Sequence, residues 1–279
     1  MHERAEKQAA PSATKPRGRA IVVTSGKGGV GKTTTTANVG TALAMRGARV
    51  ALVDADVGLR NLDIVLGLEA RVKYHLLDVL EEKVSLDEAL VRDKRSEQLF
   101  LLAAAQTREK EEVDTGQMLA LIERLRGEFD YVLIDCPAGI EKGFKNAVVG
   151  AQDAIVVCTP EVSAVRDADR VVGLLPNTFR PQLIVNRLRL QLVKKGKMLS
   201  VDDVNGILRL PLLGVIPDEP DIIVATNKGE PLALDPVSSV GASYRVIAAK
   251  LAGDDVEAPA VRERPSFFAS LAGLFGGRS

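Results

Sequence analysis

Short runs rich in Val, Ile and Leu recur along the chain, at Ala20 to Thr24, Arg49 to Asp54, Leu99 to Ala103, Tyr131 to Asp135, Ala154 to Thr159, Gln182 to Asn186 and Leu212 to Ile216. Most are continuous rather than alternating, the pattern of parallel strands covered on both faces. Between them apolar residues return at helical spacing, in Thr35 to Arg46, Gly116 to Arg126, Val162 to Leu175 and Val201 to Leu208, and Ser239 to Leu251 reads as a long closing helix. This alternation predicts an α/β fold: one doubly wound, mostly parallel sheet with helices on both faces, spanning residues 19–252 as a single domain.

Pattern also sets the ends apart. Met1 to Gly18 is polar and without periodicity, and reads as a disordered extension. Gly253 to Arg264 is rich in charge and reads as a flexible tether. Beyond it, residues 265–279 read as an amphipathic helix: Phe267, Phe268, Leu271, Leu274 and Phe275 fall within an arc of about 120° at 100° per residue. Such a helix suits in-plane insertion into a bilayer surface. Each Phe or Leu contributes at most about 1.5–3 kcal/mol on full burial, and ordering the segment costs on the order of 1 kcal/mol per residue. One copy therefore holds weakly, and two copies brought together bind far more tightly.

Composition adds exclusions. The 279 residues are 46% apolar and 27% charged, ordinary for a globular chain able to bury a sizeable core. Basic and acidic residues balance at 37 each, so no nucleic acid is expected as partner from charge alone. The two cysteines, Cys136 and Cys158, each stand alone in an apolar run and read as reduced core thiols. No run of 18 apolar residues exists to span a membrane, and the charged N-terminus lacks the apolar stretch of a secretion signal.

The candidate chemistry lies directly after the first strand, in Gly26-Lys27-Gly28-Gly29-Val30-Gly31-Lys32-Thr33-Thr34. Strand, glycine loop and helix in that order form a phosphate cradle, G-x-x-x-x-G-K-[ST]. Glycines let the backbone turn several N–H groups onto one anion, and the helix N-terminus adds partial positive charge. Lys32 is placed to reach β- and γ-phosphates and Thr33 to hold Mg²⁺. Lys27 is a second lysine that an ordinary phosphate loop does not need. Ligands of open α/β sheets sit at the carboxyl ends of strands. Two strand ends there carry carboxylates: Asp54-Ala55-Asp56, and Asp135 in Asp135-Cys136-Pro137-Ala138-Gly139. Asp135 fits a Mg²⁺-holding aspartate. Asp54 and Asp56 alternate by two and are expected to point together toward metal and γ-phosphate, with Asp56 orienting the attacking water.

The doubled-lysine loop resembles the deviant Walker A motif of the MinD/ParA group of ATPases. Asp54-Ala55-Asp56-Val57-Gly58-Leu59-Arg60-Asn61-Leu62-Asp63, Pro137-Ala138-Gly139-Ile140-Glu141, Pro160 to Arg170 and Asn227-Lys228-Gly229-Glu230-Pro231 narrow the resemblance to its MinD branch, the septum-site-determining ATPases. The resemblance runs from about Ala20 to the C-terminus. It implies a Mg²⁺-dependent ATPase that forms a homodimer when ATP-bound, with Lys27 crossing to the partner copy's nucleotide. It further implies that Asn186 reads adenine and that Pro217 and Asp218 pack beside the base. In that branch a division inhibitor, MinC, rides on the membrane-bound dimer and a regulator, MinE, stimulates hydrolysis; Val162 to Arg170 would map to their surface. The implied location is the cytoplasm and the inner face of the cell membrane. One departure is visible: family tails interleave lysines with aromatics, whereas Arg262, Arg264 and Arg278 only flank the helix here. Weaker dependence on anionic lipid is the expectation.

Two readings from the same group compete. A DNA-partitioning ATPase would use the basic residues Arg187, Arg189, Lys194, Lys195 and Lys197 against phosphates; a flagellar-number regulator shares both the loop and the tail type. Iron–sulfur carriers of this loop type need paired cysteines, and a tyrosine kinase needs a tyrosine cluster. Neither is present.

Overall fold

The computed structural model describes residues 16–106, 113–140 and 142–257. Among them eight strands form one sheet: β1 (Arg19–Thr24), β2 (Val50–Asp54), β3 (Val91–Arg92), β4 (Leu99–Leu102), β5 (Tyr131–Asp135), β6 (Asp153–Cys158), β7 (Gln182–Leu188) and β8 (Leu212–Pro217). Their order is β3-β4-β2-β5-β1-β6-β7-β8, with all pairs parallel except β3 against β4.

The expected cover on both faces is visible residue by residue in β1. Ala20 and Val22 belong to one core, with Leu121, Ile122, Leu125, Val165 and Ala168. Ile21 and Val23 belong to the other, with Ala37, Leu43, Tyr244 and Ile247. All four strand residues are fully buried, so a polar residue at any of them would lose water without gaining a partner. That is why the strand reads as an unbroken apolar run.

The helices are α1 (Lys32–Met45), α2 (Leu62–Leu66), α3 (Leu76–Leu80), α4 (Leu86–Ala89), α5 (Thr115–Glu128), α6 (Lys142–Val148), α7 (Val162–Val172), α8 (Leu190–Lys194), α9 (Val201–Leu208), α10 (Asp221–Lys228) and α11 (Ser239–Leu251). Several start on side-chain caps: Asp114 accepts from the amides of Gly116 and Gln117, Ser200 from Asp203, and Ser238 from Gly241. Each such cap stabilises its helix by about 1 kcal/mol.

The expected doubly wound sheet is present, with shifted boundaries. α1 starts at Lys32 rather than Thr35, α7 stops at Val172 before Gly173, and β7 runs two residues past Asn186 through an irregularity in its pairing with β8. Contacts just outside residues 19–252 also join the sheet domain. Gly18 exchanges hydrogen bonds with Arg126, and Asp254 pairs with Arg46 at 2.6 Å. The amphipathic helix expected over 265–279 lies outside the described residues. No described helix is long and apolar enough to cross a membrane.

Candidate nucleotide site

The loop between β1 and α1 is shaped by backbone that only glycine adopts easily. Gly29 and Gly31 have φ of 76° and 95°, in the left-handed region where a Cβ is penalised. Space is short as well. A Cβ on Gly26 would fall 2.0 Å from the Asp167 carbonyl carbon in α7, while one on Gly28 would meet only the Ala138 methyl at 3.7 Å. The Ser25 hydroxyl donates to the Lys27 carbonyl at 2.8 Å, bracing the turn. Gly31 is the N-cap of α1 and has no side chain to offer its first amides, and no acidic residue stands in that first turn. Unlike the capped helices, α1 therefore presents unpaired-by-side-chain N–H groups and its positive dipole end to an anion. Val30 packs inward, and the Thr34 carbonyl accepts from the Asn38 side-chain nitrogen at 2.8 Å.

The two lysines of the loop face different ways. Lys32, 8% exposed, lies beside the strand-end carboxylates. The Lys27 side chain is 48% exposed, with its Nζ 3.9 Å from Glu161 at the N-cap of α7. One lysine is built into the cradle and the other stands on its rim.

Register places Asp54 directly opposite Asp135 on neighbouring strands. Burial pushes the Asp135 carboxyl up, to about 8, and the Asp54 charge beside it adds to the shift; the Thr33 hydroxyl and the Lys32 ammonium pull the other way. Thr36 also reaches Asp135, at 3.4 Å. Burial likewise raises Asp54, to about 6, against hydrogen bonds from three backbone amides. Those amides are Asp56, at 3.0 Å to one oxygen, and Asn61 and Leu62, each at 3.2 Å to the other. Asp54 thus ties down the loop that carries Asp56 and starts α2, where the sequence suggested a ligand aimed at the metal. Asp135 remains the carboxylate beside Thr33. Hydroxyl and carboxylate oxygens meet a hard cation's preference, and Mg²⁺ completes its shell with waters and phosphate oxygens rather than an all-protein cage. Among the described residues no group of three or more His, Cys, Asp or Glu forms such a cage. The donor set fits Mg²⁺ bound together with a nucleotide.

Asn186 lies in β7, and Pro217 and Asp218 lie at the end of the neighbouring β8. Pro217 pairs with Leu188, the Asp218 amide donates to the Leu188 carbonyl at 3.1 Å, and the Asp218 carboxylate is ion-paired with Arg189. Asn186 is buried, and its amide nitrogen donates to the Val30 carbonyl at 2.7 Å. Cys136 and Cys158 are buried free thiols pushed up to about 12 by burial, and so are unreactive.

Sequence reasoning missed Thr36, Asn38 and Arg95. Thr36 is one helical turn beyond Thr33, and that spacing alone signals a shared face. Asn38 links α1 to Ala233, and Arg95 acts 134 residues away on the Gly229 carbonyl; neither partner is visible along the chain. The residues expected to face a membrane, Phe267, Phe268, Leu271, Leu274 and Phe275, lie outside the described residues.

Residues 21–232 match the model of the CobQ/CobB/MinD/ParA nucleotide binding domain. The chain belongs to the MinD/ParA family. A septum site-determining protein MinD of Synechocystis is 56% identical over 241 residues, covering 85% of this chain and 91% of that protein. Among solved structures, a chain of the MinC:MinD cell division protein complex of Aquifex aeolicus superposes with a TM-score of 0.81 at 47% identity, covering 88% of this chain and all of that one. MinD of Pyrococcus horikoshii complexed with Mg-ADP gives a TM-score of 0.76 at 32% identity, covering 85% and 99%. The P-loop fold of the MinD/ParA family, with its deviant Walker A loop, is the fold described above.

Proposed function

We propose that this chain is a MinD-type ATPase of cell-division site selection, hydrolysing ATP to ADP and phosphate as a dimer that ATP brings together on a membrane. The observation that carries the reading is the split orientation of the two loop lysines, Lys32 buried in the cradle and Lys27 standing outside it. A lysine that served only its own loop would have no reason to face the rim. Placed there, it is available to a nucleotide bound by a second copy, so hydrolysis depends on pairing.

The loop amides from Gly28 to Thr34 and the Lys32 ammonium hold the phosphates, and Thr33 and Asp135 hold Mg²⁺. When bound, the ion neutralises charge that develops on the β- and γ-oxygens. Asp56 orients the attacking water, on a loop that Asp54 pins through three amides. Asn186, Pro217 and Asp218 enclose the adenine. Relatives solved as a MinC:MinD complex and as a Mg-ADP complex support a MinC-type partner and this cofactor pair; a MinE-type regulator acting near Val162 to Arg170 completes the cycle. Phe267, Phe268, Leu271, Leu274 and Phe275 supply the lipid anchor, doubled in the dimer.

Vesicle sedimentation tests this with ATP, ADP and a non-hydrolysable analogue, on the full chain and on one ending at Gly253. Recruitment is expected only for the full chain and only with the triphosphates. Recruitment indifferent to nucleotide contradicts the proposal.

A further inference from the structure

Asn186 does something in this structure that reading a base does not require. Its side-chain nitrogen donates to the Val30 carbonyl at 2.7 Å, joining the end of β7 to the phosphate loop across 156 positions of sequence. Its side-chain oxygen accepts from the Arg187 amide at 2.9 Å. These two bonds fix the orientation of the carboxamide, because flipping it would set an oxygen against the Val30 carbonyl and a nitrogen against an amide hydrogen. The residue is 4% exposed, so the Val30 carbonyl has no water to fall back on if the bond is lost.

The local backbone is arranged to deliver that side chain. The pairing of β7 with β8 slips between Val185 and Leu188, and such an irregularity re-aims a side chain that regular alternation would send elsewhere. Arg187 takes a left-handed conformation, φ 58°, which a non-glycine residue keeps only where its surroundings impose it. On the receiving side, a Cβ on Gly31 would lie 2.4 Å from the Asn186 nitrogen. The carboxamide fills the space that any side chain at position 31 would need, next to the residue that starts α1.

We propose that Asn186 is a positioning residue of the phosphate loop. Its amide holds the Val30–Gly31 peptide in place, and so aims the first amides of α1 at the anion before any nucleotide arrives. An amide nitrogen carries two protons and its oxygen accepts twice. The same carboxamide therefore has the capacity to meet the acceptor–donor edge of adenine, a consequence that rests on the adenine-site reading above. Base and phosphate are then read by one group.

The test uses the full chain without nucleotide. Hydrogen–deuterium exchange is followed in the peptide covering residues 27–34 for the wild type, Asn186→Ser and Asn186→Asp. Asp keeps the shape and, when ionised, still accepts from Arg187 but has no proton for Val30; Ser, too short to reach Val30, decides the case in which burial keeps the carboxyl protonated or prevents folding. Exchange in the loop is expected to quicken by about tenfold, the effect of one lost buried hydrogen bond, while strands β1, β5 and β6 exchange as before. Unchanged loop exchange in a folded variant overturns the proposal. Binding of ATP and of inorganic tripolyphosphate with Mg²⁺ then separates the two readings. A comparable loss for both ligands supports positioning, and a loss for ATP alone overturns it. A comparable loss accompanied by unchanged preference for ATP over GTP leaves positioning standing and removes adenine from the contacts of Asn186.

Discussion

Gly67 and Gly229 meet backbone to backbone. They end α2 and α10 in matching left-handed conformations, φ 62° and 63°, and a Cβ added to Gly229 would stand 2.4 Å from the Gly67 Cα. Through this contact the helix that follows the Asp56 loop packs on the helix that follows Pro217 and Asp218. Gly229→Ala combines a disfavoured φ with overpacking, together about 2–4 kcal/mol. Thermal unfolding is expected to fall by roughly 4–16 °C for a domain of this size. A fall of less than about 2 °C would mean that the helices separate at no cost.

Arg95 closes the same junction. Its guanidinium donates to the Leu66 carbonyl at 2.7 Å and the Gly229 carbonyl at 2.8 Å, and it is held by the buried Asp93 at 2.7 Å. Arg95→Gln leaves the Asp93 charge buried without its cation, a change that costs about 3–5 kcal/mol. Adding Asp93→Asn is expected to recover at least about 1 kcal/mol, a coupling that a double-mutant cycle measures in denaturant. Additive effects would show that the ion pair does not hold the junction.

Asp54 and Asp135 make the nucleotide-free chain sensitive to pH. Their folded-state values, raised by burial to about 6 and about 8, stand above those of an unfolded chain. Their contribution to stability is therefore complete below about pH 4 and is lost as pH rises through 6 and 8. Asp135→Asn is expected to raise the melting temperature at pH 8 by several degrees, on the order of 1–2 kcal/mol, and to leave it nearly unchanged at pH 4. Magnesium nucleotide is expected to erase most of the difference in the wild type. A variant equally stabilised at both pH values would locate the effect elsewhere.

The lysines separate binding from turnover. Lys32→Ala is expected to lower nucleotide affinity by about 10²-fold, since it removes a buried charge from the cradle. Lys27→Ala is expected to leave affinity and melting temperature close to wild type, because its ion pair with Glu161 is half-exposed. Turnover is nevertheless expected to drop by about 10²-fold or more, the scale seen when a cation supplied in trans to a phosphoryl group is removed. Asp56→Ala is expected to bind ATP and to stop cleavage. Fluorescent-nucleotide titration and phosphate release report the two quantities separately. A parallel loss of affinity in Lys27→Ala would put that lysine inside its own cradle.

The strands were legible because burial on both faces leaves unbroken apolar runs, as with Ile21 to Val23 and Leu133 to Ile134. The phosphate loop was legible because its glycines and lysines act on neighbours in sequence. β3 was not: two residues, Val91–Arg92, cannot display a period. The start of α1 was obscured because Lys32, Thr33 and Thr34 are polar and show no apolar helical period. Arg95 sits in Asp93-Lys94-Arg95-Ser96-Glu97, which reads as a solvated charge run, and only the tertiary fold brings it under two helix ends. The clamp from Asn186 to Val30 was hidden for the same reason. Asp54 was seen as a carboxylate at a strand end, but its three amide partners follow from how the next loop folds back.

Arg19, at the amino end of β1, donates to the Leu251 carbonyl at the close of α11, and Asp254 pairs with Arg46 where α1 stops. The polypeptide thus enters and leaves its core at one pole, with the phosphate loop at the opposite pole. Tension applied beyond residue 257 would travel up α11, which lies against α1, to the turn that Asn38 grips through the Ala233 amide. A continuous packed path runs from the exit of the chain to the flank of the helix that follows the glycine loop.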